Sequence, residues 1–206
     1  HIITIEDPIE FVHASQKCIV NHREVGNHTH SFSAALRGAL REDPDIILVG
    51  ELRDLETISL AIEAASTGHL VFGTLHTSSA AKTVDRAIEV FPATQQAQIR
   101  STLADGIRAV IAQVLFKRAD IKGRVAALEI LIATPAVRNL VRENKTYQIN
   151  SMIQTGKKYG MMLLDDSIMG LLEKGWISPD DAYNKANDKS RFRPFIKNPP
   201  SDFTDA

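Results

Sequence analysis

With 206 residues, 44% of them hydrophobic, and a formal net charge of −1, the chain can bury one core, or a core and a small appendage. It has no charge excess to suggest nucleic acid or an anionic membrane as partner. The single cysteine, Cys18, excludes an intramolecular disulfide framework and a multi-cysteine zinc site, and suits a reducing cytoplasm. No run approaches the roughly eighteen consecutive apolar residues of a membrane span, so direct insertion is not expected. The chain opens on His1 inside a strand-like run with no charged-then-apolar leader, and is therefore expected to be part of something longer.

His1-Ile2-Ile3-Thr4-Ile5 reads as a strand ending in Glu6-Asp7-Pro8. Residues 9–30 have no helical period and read as a loop holding four of the seven histidines, His13, His22, His28 and His30. The His28-x-His30 pair is either a metal site or a solvated stretch of that loop. Ser31 caps a helix with Phe32, Leu36 and Leu40 on one stripe beside Ala35 and Ala39, and Asp43-Pro44-Asp45 ends it. Ile46-Ile47-Leu48-Val49 is uninterrupted and apolar, the habit of a strand buried on both faces of a parallel sheet, and Gly50-Glu51 stands at its carboxyl end. Asp54 then caps a helix predicted to bury Ile58, Ala61, Ile62 and Ala65, with Gly68 as its stop. A further strand, His69-Leu70-Val71-Phe72-Gly73-Thr74-Leu75, ends in His76-Thr77. Strand, helix and strand in this order predict a parallel crossover.

Beyond it, Ser78 or Ser79 caps a helix carrying Val84, Ile88 and Phe91, which Pro92 ends. A longer helix is predicted from about Gln95, with Ile99, Leu103, Ile107, Val110 and Val114 on one side and its second half buried nearly all round through Ile111 and Leu115. A turn from Ala119 to Gly123 and a β-rich run over 124–132 predict a hairpin closing the sheet edge. Short helices follow over 136–143, 146–154, 163–173 and 179–187, the last opening with Ser178-Pro179-Asp180-Asp181. From Phe192 onward three prolines predict a loose tail. The pattern is α/β with a mostly parallel sheet over 1–133, a helical subdomain over 134–190 and a tail over 191–206.

Three predicted strands thus deliver Glu6, Glu51 and His76 to one sheet edge, acid, acid and imidazole, as metal-assisted phosphoryl transfer requires. Glu51 is best placed to orient or deprotonate water, or else to hold magnesium through water, and Gly50 lets a ligand approach the backbone. Glu6 and Asp7 either hold magnesium through water or fix the turn before Pro8. The phosphate-cradling pattern G-x-x-x-x-G-K-[ST] does not occur. Gly156-Lys157-Lys158 comes nearest but lacks the hydroxyl and the leading glycine, and reads as a polar loop.

Thr4-Ile5-Glu6-Asp7-Pro8-Ile9-Glu10-Phe11, then Asp43-Pro44-Asp45 through Gly50-Glu51-Leu52-Arg53-Asp54, then Gly68-His69 through Leu75-His76-Thr77 resemble the Asp box, atypical Walker B motif and His box of secretion ATPases. Those are the hexameric motors of type IV pili and type II secretion. The resemblance implies a RecA-like P-loop ATPase core that binds ATP with Mg2+, with His76 sensing the γ-phosphate and Asp7, Gly50, Arg53 and Thr77 close to the nucleotide. Arg23-Glu24-Val25-Gly26 resembles a segment near the nucleotide in that family. His69 is expected to be structural or at a subunit contact. Arginine fingers come from the family's amino-terminal part, with Arg53 and Arg41 as local alternatives.

Pro135-Ala136-Val137-Arg138-Asn139-Leu140-Val141-Arg142-Glu143 resembles a motif of the pilus-retraction branch, and implies a motor-coupling role for Arg138, Asn139, Leu140, Arg142 and Glu143. The lack of paired Cys-x-x-Cys motifs points to the same branch. Implied partners are further copies in a homo-hexamer and a pilus platform protein at the cytoplasmic face of the inner membrane. Pilus-assembly and type II secretion ATPases are the alternatives. A non-catalytic docking module is another, because a chain without the phosphate loop is not expected to hydrolyse ATP by itself.

Overall fold

The computed structural model describes residues 1–197. Four parallel strands, β1 (Ile2–Glu6), β2 (Val20–Glu24), β3 (Ile46–Val49) and β4 (Leu70–Gly73), form a sheet in the order β2-β1-β3-β4. Helices α1 (Phe32–Ala39) and α2 (Leu55–Ser66) make the crossovers, capped by Ser31 Oγ on the Ala34 amide at 3.1 Å and by Asp54 Oδ1 on the Thr57 amide at 2.8 Å. Gly68, at φ +115°, takes the left-handed turn that ends α2. Ile3, Ile5, Ile47 and Val49 are fully buried against Phe32, Ala35, Leu36 and Ala39 of α1 and Ala61 and Ala64 of α2.

Two expectations change here. β3 is completely buried on one face and half-buried on the other, because the alternate residues Ile46 and Leu48 do not join the buried cluster formed with α1 and α2. The buried stripe of α2 is Thr57, Ile58, Ala61 and Ala64, with Ile62 and Ala65 only half-buried at its margin. In addition, β2 lies inside the stretch read as loop. Its sequence, Val-Asn-His-Arg-Glu, lacks apolar alternation because it is an edge strand held by backbone pairing to β1.

Helix α3 (Ala80–Glu89) buries Val84 and Ile88, and α4 (Ala93–Gly106) follows Pro92. Where periodicity predicts helix through Val114 and Leu115, the chain turns extended at Ile107 (φ −61°, ψ 133°) and forms β5 (Ala109–Lys117). Val110 and Val114 are four apart and fit both periods. Alternation decides: Ala112 and Phe116 are buried while Ile111 and Leu115 are exposed. β5 pairs antiparallel with β6 (Arg124–Ile132) alone, so the hairpin is a separate sheet and does not close the parallel one.

The described residues form two compact units, one of His1–Thr77, Thr83–Arg108 and Arg138–Thr146, the other of Ser78–Lys82, Ala109–Val137 and 147–197. The hairpin therefore belongs with the helical part, where the division predicted at 133 had put it in the core. After α5 (Pro135–Arg142) come α6 (Ile149–Thr155), α7 (Leu164–Glu173) and α8 (Pro179–Lys185). Phe116 and Ala127 of the hairpin pack with Leu164, Ile168 and Leu171 of α7, Ala182 and Tyr183 of α8, and Phe192 and Ile196. Asp165, nearly buried, accepts the Asn187 and Asp188 amides at 2.9 and 2.8 Å and so closes the chain after α8. Phe192 and Ile196 are buried in this core and residues 193–195 form a 3-10 turn between them, so the start of the predicted loose tail is anchored. The rest of the predicted tail lies outside the described residues. Among the described residues no helix is long and apolar enough to cross a membrane.

Phe192→Ala is expected to destabilise the second unit by about 3–5 kcal/mol, the cost of emptying a phenyl site in a core. Urea unfolding followed by Trp176 fluorescence measures it, and a loss below about 1 kcal/mol would return the segment to a loose tail.

Candidate active site

The parallel register places Ile5, Val49 and Gly73 in one row across β1, β3 and β4. The residues that follow each strand therefore emerge at a common carboxyl edge: Glu6 and Asp7, Gly50 and Glu51, Thr74 and His76. In open α/β sheets this is the ligand-binding edge. Gly50 has a packing reason to lack a side chain, because a Cβ there would lie 3.1 Å from Ile5 O and 3.3 Å from Glu6 Cα. The Gly50 amide donates to Ile5 O at 2.7 Å, and the Thr74 hydroxyl bonds Gly50 O.

Glu51 and His76 meet at this edge. Glu51 Oε1 lies 3.1 Å from His76 Nε2, and Glu51 Oε2 lies 2.5 Å from Arg53 Nη2. The hydrogen bond from Arg53, its charge and the neighbouring His76 hold the Glu51 carboxyl below the ordinary range, outweighing partial desolvation. Arg53 is correspondingly raised, by Glu51 first and by the nearby Asp7 as well. Chemically, this keeps Glu51 ionised and able to accept from water, but a carboxylate held by a guanidinium is a poor proton acceptor. His76 is 85% exposed, so a ligand at the edge can reach it.

Glu6 is held separately. Its Oε1 accepts from Thr4 Oγ1 at 2.6 Å, and Thr4 Oγ1 lies 2.9 Å from His22 Nδ1. His22 Nε2 lies 3.1 Å from the His13 amide nitrogen and 3.2 Å from the His13 carbonyl oxygen, so His13 holds one side of the ring while Thr4 bridges the other side to Glu6. Thr4 and His22 were not among the predicted site residues. The i, i+2 spacing of Thr4 and Glu6 on one strand was a usable signal, whereas His22 required the unrecognised β2.

The remaining candidates divide. Asp7 is exposed at the edge. Thr77 Oγ1 is hydrogen-bonded to Thr83 Oγ1 at 2.6 Å, which closes a loop. β2 brings Glu24 beside Glu6, while Arg23 pairs with Glu42. Arg41 sits in the turn after α1, at the amino end of the strands. His69 caps α2, its Nδ1 3.0 Å from Ala64 O. His28 Nδ1 accepts the Glu24 amide at 3.0 Å and fixes a turn. Among the described residues no three His, Cys, Asp or Glu side chains converge as a metal cage. Magnesium needs only one or two carboxylates when substrate phosphates and water supply its other ligands, and Glu6 and Glu51 are donors of that kind.

The model of the family described as "Type II/IV secretion system protein" matches residues 1–176. The chain belongs to this family. It is 61% identical over 192 residues to a type IV pilus retraction ATPase, PilT, of Pseudomonas aeruginosa, covering 93% of this chain and 56% of that protein. It is 60% identical over 186 residues to a twitching motility protein of Neisseria gonorrhoeae, 90% of this chain and 50% of that one. A crystal structure of the pilus retraction motor PilT with bound ADP superposes at a TM-score of 0.85 with 48% identity, over 93% of this chain and 54% of that one. The chain thus spans about half the length of these members of the secretion family.

The α5 motif has its own geometry. Val137 and Val141 are fully buried and Leu140 half-buried, while Asn139, Arg142 and Glu143 are exposed. Arg142 pairs with Asp105 of α4 at 2.7 Å. Glu143 accepts from Lys145 and from Asn139, each at 2.8 Å, and Lys145 first, then Asn139, lower its carboxyl below the ordinary range. Arg138 is half-buried and engaged by neighbours.

A depressed carboxylate keeps its pairing above the ordinary glutamate range and loses it as pH falls through its own lower value. Arg53→Ala is therefore expected to move the Glu51 titration midpoint upward, toward that of an ordinary glutamate, as read by carbon-13 NMR of the side-chain carboxyl. An unmoved midpoint would mean that the pair does not form in solution.

Proposed function

We propose that this chain is the carboxyl-terminal part of a hexameric ATP-hydrolysing motor that drives type IV pilus retraction, as in twitching motility. The observation that carries the reading is the Glu51–His76 pair at the carboxyl edge of a parallel sheet, in a chain 61% identical to a protein named as a retraction ATPase. Glu51 orients the attacking water. When nucleotide arrives, Arg53 turns from Glu51 to phosphate, which frees the carboxylate and raises its basicity. His76 donates to the γ-phosphate, with Gly50, Asp7 and Thr77 bordering the nucleotide. Glu6 and Asp7 are the residues that would hold a magnesium ion through water, and the ion would supply neutralisation of phosphate charge. The partners are other copies of the protein and a pilus platform protein at the cytoplasmic face of the inner membrane.

The α5 residues Arg138, Asn139, Leu140, Arg142 and Glu143 transmit movement and take no part in hydrolysis. This reading is supported by their place after both sheets are complete, on a helix anchored by Val137 and Val141.

Two experiments on the protein extended through its upstream coding sequence test the proposal. Glu51→Gln should retain nucleotide binding by calorimetry while turnover falls about a hundredfold or more, the size of a general-base contribution. Equal loss of binding and turnover would give Glu51 to magnesium or to structure instead. Arg138→Ala should leave ATP turnover near wild type and abolish pilus retraction on the same variant, and a parallel fall in both would end the division of labour.

A further inference from the structure

Thr4 stands in the middle of β1 with 4% of its surface exposed, on the face opposite Ile3 and Ile5. A hydroxyl buried to that degree is costly unless it is hydrogen-bonded. Thr4 Oγ1 donates to Glu6 Oε1 at 2.6 Å, two residues on along the same face of the strand. The register of β1 and β2 sets His22 beside Thr4, and His22 Nδ1, 2.9 Å from the same oxygen, gives the hydroxyl a second partner.

Glu6 is thereby held at two points. Its stem lies against the open side of Gly50, where a Cβ would come within 3.6 Å of Glu6 Cγ. Its carboxyl group is turned by Thr4, which takes Oε1, and that oxygen also lies 3.6 Å from His22 Nδ1. Among the described residues Oε2 meets only the Glu10 amide, at 3.4 Å, the weak end of the hydrogen-bond range. Only 14% of the Glu6 side chain is exposed, so its two oxygens are not equivalent toward an arriving ligand. Thr4, Glu6, Glu10, His22 and Gly50 all lie within the unit of the parallel sheet.

We propose that Thr4 is a positioning residue for Glu6: its hydroxyl engages Oε1 and so leaves Oε2 as the oxygen that meets water or a ligand at the carboxyl edge. A glutamate side chain left to itself samples several staggered rotamers, and the bond from a buried hydroxyl on the same strand selects one of them. Groups that orient a metal-binding carboxylate are worth about 10–100-fold in metal affinity or activity, because the ion is sensitive to where the oxygen stands. The inference rests on the reading of Glu6 as a residue that holds magnesium through water. Its physical content, one hydroxyl proton for one carboxylate oxygen, can be tested with or without nucleotide.

In the protein extended through its upstream coding sequence, Thr4→Val, which keeps the shape and removes the hydroxyl, should lower kcat about tenfold or more with KM for ATP within about threefold of wild type. Thr4→Ser restores the hydroxyl and should keep kcat within about threefold. Thr4→Ala should behave as the valine variant does, and serves in its place if that variant fails to fold. In the 206-residue chain without nucleotide, three-bond NMR couplings along the Glu6 side chain should report one rotamer in wild type and Thr4→Ser, and an average over rotamers in Thr4→Val or Thr4→Ala. A serine variant as impaired as valine, wild-type turnover without the hydroxyl, or a Glu6 side chain that stays in one rotamer without it would overturn the inference. An extended wild-type protein without ATPase activity, or full turnover in Glu6→Ala, would overturn the functional reading instead, and the couplings would still decide whether Thr4 holds Glu6.

Discussion

Burial of Ile3 and Ile5 on β1 and Ile47 and Val49 on β3 beneath α1 and α2 is the constraint from which the site follows, because side chains alternate across a strand. Slipping β1 by one residue against β3 would turn Ile3 and Ile5 off that face and expose apolar surface worth about 1.5–3 kcal/mol per side chain. The same register that satisfies the core aligns Ile5, Val49 and Gly73, and so brings Glu6, Glu51 and His76 out at one edge. The core sets the geometry of the chemistry.

At that edge the electrostatics express a compromise. Glu51 is kept ionised by Arg53 and His76, and the same pairing weakens it as a base. Glu6 is treated differently: the Thr4 hydroxyl donates to its carboxylate at 2.6 Å, and the His22 imidazole lies 3.6 Å away.

The second unit relies on buried carboxyl groups to organise backbone. Asp165 gathers two successive amides after α8, and Glu129 takes the first amide of α3. Each buried acid answers amides that would otherwise have no partner, so the polar groups are satisfied together. Phe116, Ile168 and Phe192 then close an apolar core around the hairpin.

The chain by itself determined the elements whose signals are local. Ser31 and Asp54 announced helix starts, Gly68 an end, and Ile46-Ile47-Leu48-Val49 an interior strand, because caps and apolar runs depend on neighbours a few residues away. The place of Glu51 and His76 at the carboxyl ends of strands was legible for the same reason. Only tertiary structure decided β2, whose polar sequence is held by pairing along β1, and with it the link from His22 to Glu6. Only tertiary structure turned residues 109–117 from a helix into a strand, since Val110 and Val114 satisfy both periods until Phe116 and Ala112 find a core on one side. Phe192 joined that core through contacts far away in sequence, and Glu129 found Ala80 across 49 residues. Periodicity reports what a residue prefers beside its neighbours in the chain, but which amide a buried acid will meet is settled only when distant segments pack.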